Sequence, residues 1–248
     1  MCTVVILRRP AHPWPVLLAA NRDEMRSRAT LPPGRHWPDR PEVTAGLDGA
    51  AGGSWLGLND HGLVAAVMDR HGTLGREPRK RSRGELVLEA LDHAEADAAA
   101  EALAELYPAA YRPFNLVVAD PRRAYWIRHD GGDTIQVTAI PPGLHMLAGS
   151  ELDDPGHPRV ATYLPRFQTA GIPDPERDDW SDWIALMGER HYPEALGPVA
   201  AMVQDQPNGF QTRSGALIAL PSYPGFDHRP RWLHAEGAPT REAFGPVM

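Results

Sequence analysis

Cys2 is the residue of this chain whose type and position point most directly to chemistry. It is the single cysteine and it directly follows the initiator methionine. Methionine is normally trimmed when a small residue follows it, which would leave a cysteine with both a thiol and a free α-amino group. An α-amine has a pKa of about 8, so part of it is neutral near physiological pH and can accept the thiol proton. Cys2 would then combine a nucleophile and its general base in one residue.

Charged residues that could support a thiolate follow the next apolar segment. Arg22, Asp23 and Glu24 come after the apolar run 16–20. If that run pairs with the strand that begins near Cys2, a guanidinium and a carboxylate lie beside the thiol. A nearby cation favours the thiolate, and a carboxylate can orient an ammonium group. The alternative is that Cys2 is a small apolar residue opening a strand, next to an ordinary strand-end ion pair.

Two short strands are the elements that would position these groups. Residues 3–8 are apolar and β-branched, residues 16–20 contain no proline, and a turn at 10–15 joins them, so the sequence predicts a hairpin. Residues 27–53 are rich in Pro, Arg and Gly with little periodicity. They predict a long irregular loop, which in a compact domain is more often functional than idle.

The remaining segments alternate between blocks of strands and blocks of helices. A second hairpin is predicted from 52–59 and 63–68. Further strands are predicted at 114–120, 124–129, 134–139, 145–148, 214–220 and 231–234, and helices at 86–94, 98–106, 159–170 and 181–188. Ser82 with Glu85 fits a capping box, and Ser181 fits an N-cap. Hairpins and segregated helices predict an α+β fold with mainly antiparallel sheets, in a single domain over 1–248.

Composition narrows the class of protein. The 248 residues are 42% hydrophobic and 23% charged, and the net charge of −7 disfavours nucleic acid as a partner. No apolar run reaches the roughly 18 residues that span a membrane. Arg8, Arg9 and Pro10 interrupt the first apolar stretch, so no signal peptide is expected. One cysteine excludes an internal disulfide, which favours a reducing, cytoplasmic setting. Abundant Arg, Ala, Pro and Gly suggest a GC-rich bacterial genome.

Several other chemistries lack their sequence patterns. None of the eleven histidines has metal-ligand spacing. The glycines between 46 and 53 lack the strand-to-helix turn of a dinucleotide site, and Ser214 lacks the frame of a nucleophile elbow. Spacing does not exclude haem, which needs one axial residue and an apolar slot. The basic segment 70–83 is interpreted as a solvated loop, or alternatively as a clamp for a carboxylate or phosphate.

Six blocks of the sequence resemble the NRDE family, also called the transport and Golgi organisation family. The blocks run in the family's order from the first residue to about residue 220, which is nearly the full chain. They are Met1-Cys2-Thr3, Asn21-Arg22-Asp23-Glu24, Gly52-Gly53-Ser54-Trp55-Leu56-Gly57, Ser82-Arg83-Gly84-Glu85-Leu86-Val87, Phe114-Asn115-Leu116 and Thr212-Arg213-Ser214.

The resemblance implies an N-terminal-nucleophile-hydrolase-like fold, a four-layer αββα sandwich of two mainly antiparallel sheets. In the related bile-salt and penicillin-V hydrolases the N-terminal cysteine attacks an amide, supported by an arginine, an aspartate and asparagine donors. The matching candidates here are Cys2, Arg22 and Asp23, with Glu24 competing for the carboxylate role. Asparagines expected near 69 and 149 are Asp69 and Gly149 instead. An oxyanion site needs donors, and an ionised carboxylate is only an acceptor.

Two functions follow from the resemblance, and we prefer the first. The first is handling of a small ligand, haem or an acyl thioester such as acyl-CoA, with no cofactor required. Its candidate ligand contacts are Asn21, Asn59, Asp69, Arg70 and Arg213. The second is a cysteine-dependent amide hydrolase. An interaction module is a weaker third interpretation. The sequence leaves the ligand, the removal of Met1 and the oligomeric state open.

Overall fold

The computed structural model describes residues 2–75, 77–222 and 229–247. The chain divides into two compact units, each containing one antiparallel sheet. The first unit comprises residues 1–27 and 142–248, and the second comprises residues 28–141. The prediction of a single domain over 1–248 stays a prediction.

The sheet of the first unit has six antiparallel strands in the order β10-β1-β2-β11-β12-β13. Their bounds are β1 Thr3–Arg8, β2 Val16–Met25, β10 Gly143–Leu147, β11 Phe210–Leu220, β12 Arg231–Glu236 and β13 Phe244–Pro246. β1 and β2 form the predicted hairpin, with Thr3 opposite Asn21 and Arg8 opposite Val16. The unit also contains the helices α3, Pro158–Thr169, and α4, Ser181–Met187.

Alternation along β1 and β2 decides which side chains face the helices of the first unit. Successive strand residues point to opposite faces. Val5, Leu7 and Ala19 pack in one buried cluster with Tyr163 and Phe167 of α3. The same cluster includes Trp14, Trp180 and Trp183. The odd-numbered positions of β1 and β2 therefore face α3 and α4, and the even-numbered positions face away from them.

The sheet of the second unit has seven antiparallel strands in sequence order. Their bounds are β3 Thr30–Gly34, β4 Val43–Asp48, β5 Leu56–Asn59, β6 Val64–Asp69, β7 Phe114–Ala119, β8 Ala124–His129 and β9 Gln136–Ala139. The helices α1, Gly84–Leu91, and α2, Ala96–Ala104, contribute to one buried cluster with Ala65 and Val67 of β6. The predicted hairpin of β5 and β6 is present.

Two predictions about strands are wrong. Residues 27–53 are not one irregular loop, since they contain β3 and β4. β3 carries Pro32 and Pro33, which are tolerated because it is an edge strand with irregular register between Leu31 and Gly34. β2 does not end at residue 20. It continues to Met25 because β11 supplies hydrogen-bonding partners along its whole length. The two antiparallel sheets with few helices confirm the predicted α+β class.

Candidate functional site

Cys2 lies one residue before β1 and is half-buried. Its thiol donates to the backbone carbonyl oxygen of Asp23, with 3.9 Å between Sγ and O. The pairing of Thr3 with Asn21, extended by one residue, places Cys2 opposite Arg22. On the other side of β1, Val4 pairs with Leu147, the last residue of β10, and Gly149 lies two residues beyond that strand. The structure thus brings Cys2 next to the charged segment of β2, as the hairpin predicts.

Arg22 and Asp23 point to opposite faces of the sheet. Arg22 is at an even position, which is the face of Cys2, and it pairs with Ser214 of β11. The residue is only 6% exposed. Asp23 is at an odd position and faces the helices. The guanidinium therefore shares the face of the thiol, whereas the carboxylate of Asp23 is turned to the other side of the strand.

The carboxylate of Asp23 forms a buried ion pair with Arg159 of α3. Arg159 Nη1 lies 2.9 Å from Asp23 Oδ2, and the two side chains are 1% and 0% exposed. Thr212 Oγ1 donates to Asp23 Oδ1 at 2.7 Å. Arg159 Nη1 also donates to Thr3 Oγ1 at 2.5 Å. One guanidinium thus connects the first residue of β1 to the end of β2.

Arg159 is the site residue that the sequence does not reveal. Its partner Asp23 is 136 positions away, and its position near a helix start gives no sign of this contact. The sequence contains one indirect signal. Arg159 is a cation in the first turn of a helix, where it opposes the helix dipole. The first turn of α3 contains no acidic residue that would compensate for it.

The Glu24 carboxylate contacts the neighbouring backbone. Its Oε1 accepts a hydrogen bond from the backbone N–H of Met25 at 2.8 Å, and it pairs with Gln211 of β11. The structure therefore places Asp23, rather than Glu24, in the buried ion pair next to the strand of Cys2. The catalytic roles of both carboxylates stay predictions.

Asn21 connects β2 to the end of α4 and to the segment that contains Met202. Its Nδ2 donates to the carbonyl oxygens of Met187 at 2.9 Å and Met202 at 3.1 Å. The residue is 1% exposed. Both amide hydrogens are thus used inside the first unit, so ligand contact through Nδ2 would require breaking one of these bonds.

Arg213 occupies a β-bulge of β11. Thr212 pairs with Asp23 and Ser214 pairs with Arg22, so Arg213 has no opposite residue in the register. Its carbonyl oxygen accepts from Gly237 N at 2.8 Å, and its side chain is half-buried. The bulge keeps Thr212 on the face of Asp23 and Ser214 on the face of Cys2.

The other three predicted ligand contacts belong to the second unit. Asn59 Nδ2 donates to the carbonyl oxygens of Leu91 and His93, and its Oδ1 accepts from two backbone N–H groups. Its amide is therefore fully used. Asp69 ends β6 and is 9% exposed. Arg70 Nη1 donates to Asn115 Oδ1 at 2.8 Å. Asp69 and Arg70 are adjacent at the end of β6, whereas Asn59 is at the end of the antiparallel strand β5. The ligand contacts of all three stay predictions.

Two of the pKa shifts in the first unit belong to groups around α3. Burial raises the pKa of Tyr163 to about 12, and the nearby Glu189 carboxylate adds to the effect. A hydrogen bond from Arg166 lowers the pKa of Glu189.

Across the described part of the chain no three His, Cys, Asp or Glu side chains are grouped to bind a metal ion. None of the helices in residues 2–75, 77–222 and 229–247 has the length and apolar character that crossing a bilayer requires.

Comparisons with known proteins agree on family and fold. A sequence model of the family described as Transport and Golgi organisation 2 matches residues 1–208. The human Transport and Golgi organization protein 2 homolog is 31% identical over 153 residues, 56% of this chain and 52% of the human protein. The Bos taurus homolog is 32% identical over 161 residues, with the same coverages of 56% and 52%. The chain spans about half the length of these curated relatives.

Two solved structures have similar folds over nearly their full length. The Caenorhabditis elegans N-acylethanolamine-hydrolyzing acid amidase ortholog aligns with a TM-score of 0.61, 12% identity and 100% coverage of both chains. The C2A variant of conjugated bile acid hydrolase from Clostridium perfringens aligns with a TM-score of 0.52 and 10% identity, covering 100% of this chain and 92% of the hydrolase. At these identities the likeness concerns the fold alone, and it confirms the predicted N-terminal-nucleophile-hydrolase-like fold.

Proposed function

The chain belongs to the Transport and Golgi organisation 2 family, and on that premise we propose that it hydrolyses C–N bonds of acyl amides with Cys2 as the nucleophile. The observation that carries the proposal is the position of Cys2. Its thiol meets the Asp23 carbonyl oxygen, directly at the strand end that the Asp23–Arg159 ion pair fixes. The names of the two fold neighbours, an acid amidase and a conjugated bile acid hydrolase, support a hydrolytic reaction of this class.

The reaction requires Cys2 to be the first residue. Its neutral α-amine accepts the thiol proton, and the thiolate attacks the acyl carbon of the amide. The tetrahedral intermediate expels the amine, which takes up the proton, and leaves the acyl group on Cys2 as a thioester. Water then hydrolyses the thioester, releases the acid and restores the thiol. Arg22 is on the same face as Cys2, and its positive charge favours the thiolate.

A cleavable N-terminal extension provides the sharpest test. The protein is produced with an extension whose removal leaves Cys2 first, and the uncleaved sample is the matched control. Each sample is incubated with N-acylethanolamines and with bile-acid amides. We expect only the cleaved protein to gain the mass of the acyl group and to release the amine. Cys2→Ala should do neither. A folded, cleaved protein that neither gains mass nor releases amine from any compound would falsify the proposal.

A second candidate function is binding of haem or an acyl thioester without turnover. Gly149 favours it, because the resemblance implies an oxyanion-binding asparagine near residue 149, and glycine carries no side chain that could donate. Loss of one such donor typically costs about 10²–10³ in rate. An arginine such as Arg213 of the first unit would contact the propionates or phosphates of the ligand. A cytoplasmic location suits both candidates, since both keep a reduced thiol.

Titration distinguishes the second candidate from the first. Cys2→Ala protein removes the nucleophile and leaves the rest of the chain intact. If the protein is a binder, haem or acyl-CoA produces a saturable spectral or calorimetric change with this variant, and the cleaved wild type leaves both compounds unaltered. Absence of saturable binding of either compound excludes this candidate.

A further inference from the structure

Arg159 is placed where local preferences disfavour it. It lies in the first turn of α3, and the side chain of His157 accepts a hydrogen bond from its backbone N–H at 3.3 Å. A cation near a helix N-terminus is destabilised by the helix dipole. Burying a guanidinium adds a desolvation cost. A residue that breaks two local rules must be compensated elsewhere, and such positions are often functional.

We propose that Arg159 is a positioning residue for Cys2, acting through Thr3 and Asp23. The inference rests on the proposed function only in taking Cys2 as the reactive group. Arg159 Nη1 donates to Thr3 Oγ1, on the residue that follows Cys2, and to Asp23 Oδ2. The backbone carbonyl of Asp23 in turn accepts from the Cys2 thiol. One guanidinium therefore restrains both backbone segments that bracket the thiol.

Thr212 fixes the other oxygen of Asp23. Its hydroxyl accepts from Gln204 N at 2.8 Å and donates to Asp23 Oδ1 at 2.7 Å, so the hydroxyl proton has a defined direction. The carboxylate is thus bound on both oxygens by groups from two other elements, α3 and β11. The Asp23 side chain can change its orientation only if one of these bonds breaks. We therefore expect the whole residue, including its carbonyl oxygen, to stay fixed next to the thiol.

The charge balance of the pair also affects the thiol. Arg159 and Asp23 cancel one another, so Cys2 is next to a neutral pair. Replacing Arg159 by a neutral residue leaves a buried carboxylate without its cation, on the residue whose carbonyl oxygen accepts from the thiol. A nearby negative charge disfavours the thiolate. A purely structural ion pair would affect unfolding but would leave the reactivity of Cys2 in the folded protein unchanged.

Alkylation of Cys2 tests the proposal without a substrate. Because Cys2 is the only cysteine, the rate of iodoacetamide labelling against pH reports this thiol alone. The experiment uses cleaved protein with Cys2 first and the variants Arg159→Gln, Arg159→Lys and Arg159→Gln/Asp23→Asn. Arg166→Gln is the matched control, since Arg166 is on the same helix but pairs with Glu189.

The expected shift of the labelling midpoint depends on the charge that each variant leaves at positions 23 and 159. Arg159→Gln moves the labelling midpoint to higher pH by about one unit, and Arg159→Lys moves it less. In the double variant, which removes both charges, the labelling midpoint returns toward the wild-type value. Its labelling rate at high pH stays below that of the wild type. Arg166→Gln leaves the curve unchanged. With an amide substrate, Arg159→Gln lowers kcat more than it raises KM.

Unchanged labelling curves for the folded Arg159 variants would overturn the inference. If Arg159→Gln does not fold, Arg159→Lys and the double variant decide, and curves identical to wild type in both refute it. The two proposals fail separately. Amide turnover with unshifted labelling refutes the role of Arg159 alone, whereas shifted labelling without turnover refutes only the proposed reaction.

Discussion

Gly53 and Gly84 pack backbone against backbone in the second unit. A Cβ on Gly53 would lie 2.5 Å from the carbonyl carbon of Gly84, and a Cβ on Gly84 would lie 3.0 Å from Ser54 N. Ser54 N donates to the Gly84 carbonyl oxygen at 3.0 Å. Two sequence blocks that are separate along the chain therefore meet at the start of α1. The glycines there serve close approach of the backbone rather than ligand binding.

Gly53→Ala is expected to destabilise the protein by about 1–3 kcal/mol, because the new methyl group meets backbone that cannot move aside. Urea unfolding followed by circular dichroism measures the change. Gly245→Ala is the matched control, since a Cβ there meets no atom of the described residues within 4 Å apart from its own chain neighbours, and it should be nearly neutral. Equal effects of the two substitutions would contradict the packing argument.

The sequence predicts most strands because their apolar residues alternate or cluster between turn residues. β1 and β8 are predicted at the bounds they have, several other predicted strands differ by a few residues at their ends, and β4 and β13 are not predicted. β3 escapes prediction because its adjacent prolines are typical of loops, and only the sheet topology reveals that it is an edge strand. The α1 capping box is present in part, since Glu85 Oε1 accepts from Ser82 N at 3.4 Å. The N-cap of α4 is Trp180 rather than the predicted Ser181, and Asp179 Oδ1 accepts from Ser181 N.

The candidate site is less predictable for a physical reason. Cys2 and residues 21–24 are brought together by a hairpin, which is a local element. The contact of Asp23 with Arg159 depends on where α3 packs against the sheet, and no local pattern encodes that. In the sequence a buried arginine cannot be distinguished from a surface arginine. Charged residues are almost never fully buried unless they are paired, and the sequence does not show the pair.

Asn21→Asp is expected to destabilise the protein by about 3 kcal/mol or more, since a carboxylate would face the carbonyl oxygens of Met187 and Met202 without a donor. The measurement is again urea unfolding at neutral pH. Asn208→Asp is the control, because Asn208 is exposed and uses its Oδ1 to accept from Phe210 N, which an aspartate also does. A loss below about 0.5 kcal/mol in Asn21→Asp would mean that these bonds are not needed.

Tyr163 predicts a loss of stability at high pH. Burial raises its pKa from 10.0 to about 12, so the folded protein keeps a proton that the unfolded chain releases in that range. Its contribution is complete below pH 10 and is lost as the pH rises toward 12. The difference in unfolding free energy between wild type and Tyr163→Phe should therefore fall with pH over this window. A difference that stays constant would contradict the shift.

Thr212→Val is expected to lower both stability and the reactivity of Cys2. Valine has nearly the shape of threonine but removes the hydroxyl that donates to Asp23 Oδ1 and accepts from Gln204 N. Loss of a hydrogen bond to a charged group costs about 1.5–3 kcal/mol. With Arg159 in place the Asp23 charge stays balanced, so the labelling midpoint of Cys2 should move less than in Arg159→Gln, while the rate falls. Thr212→Ser keeps the hydroxyl and should restore the rate. If Thr212→Val labels at the wild-type rate while losing stability, the hydroxyl supports the fold and has no part in positioning the thiol.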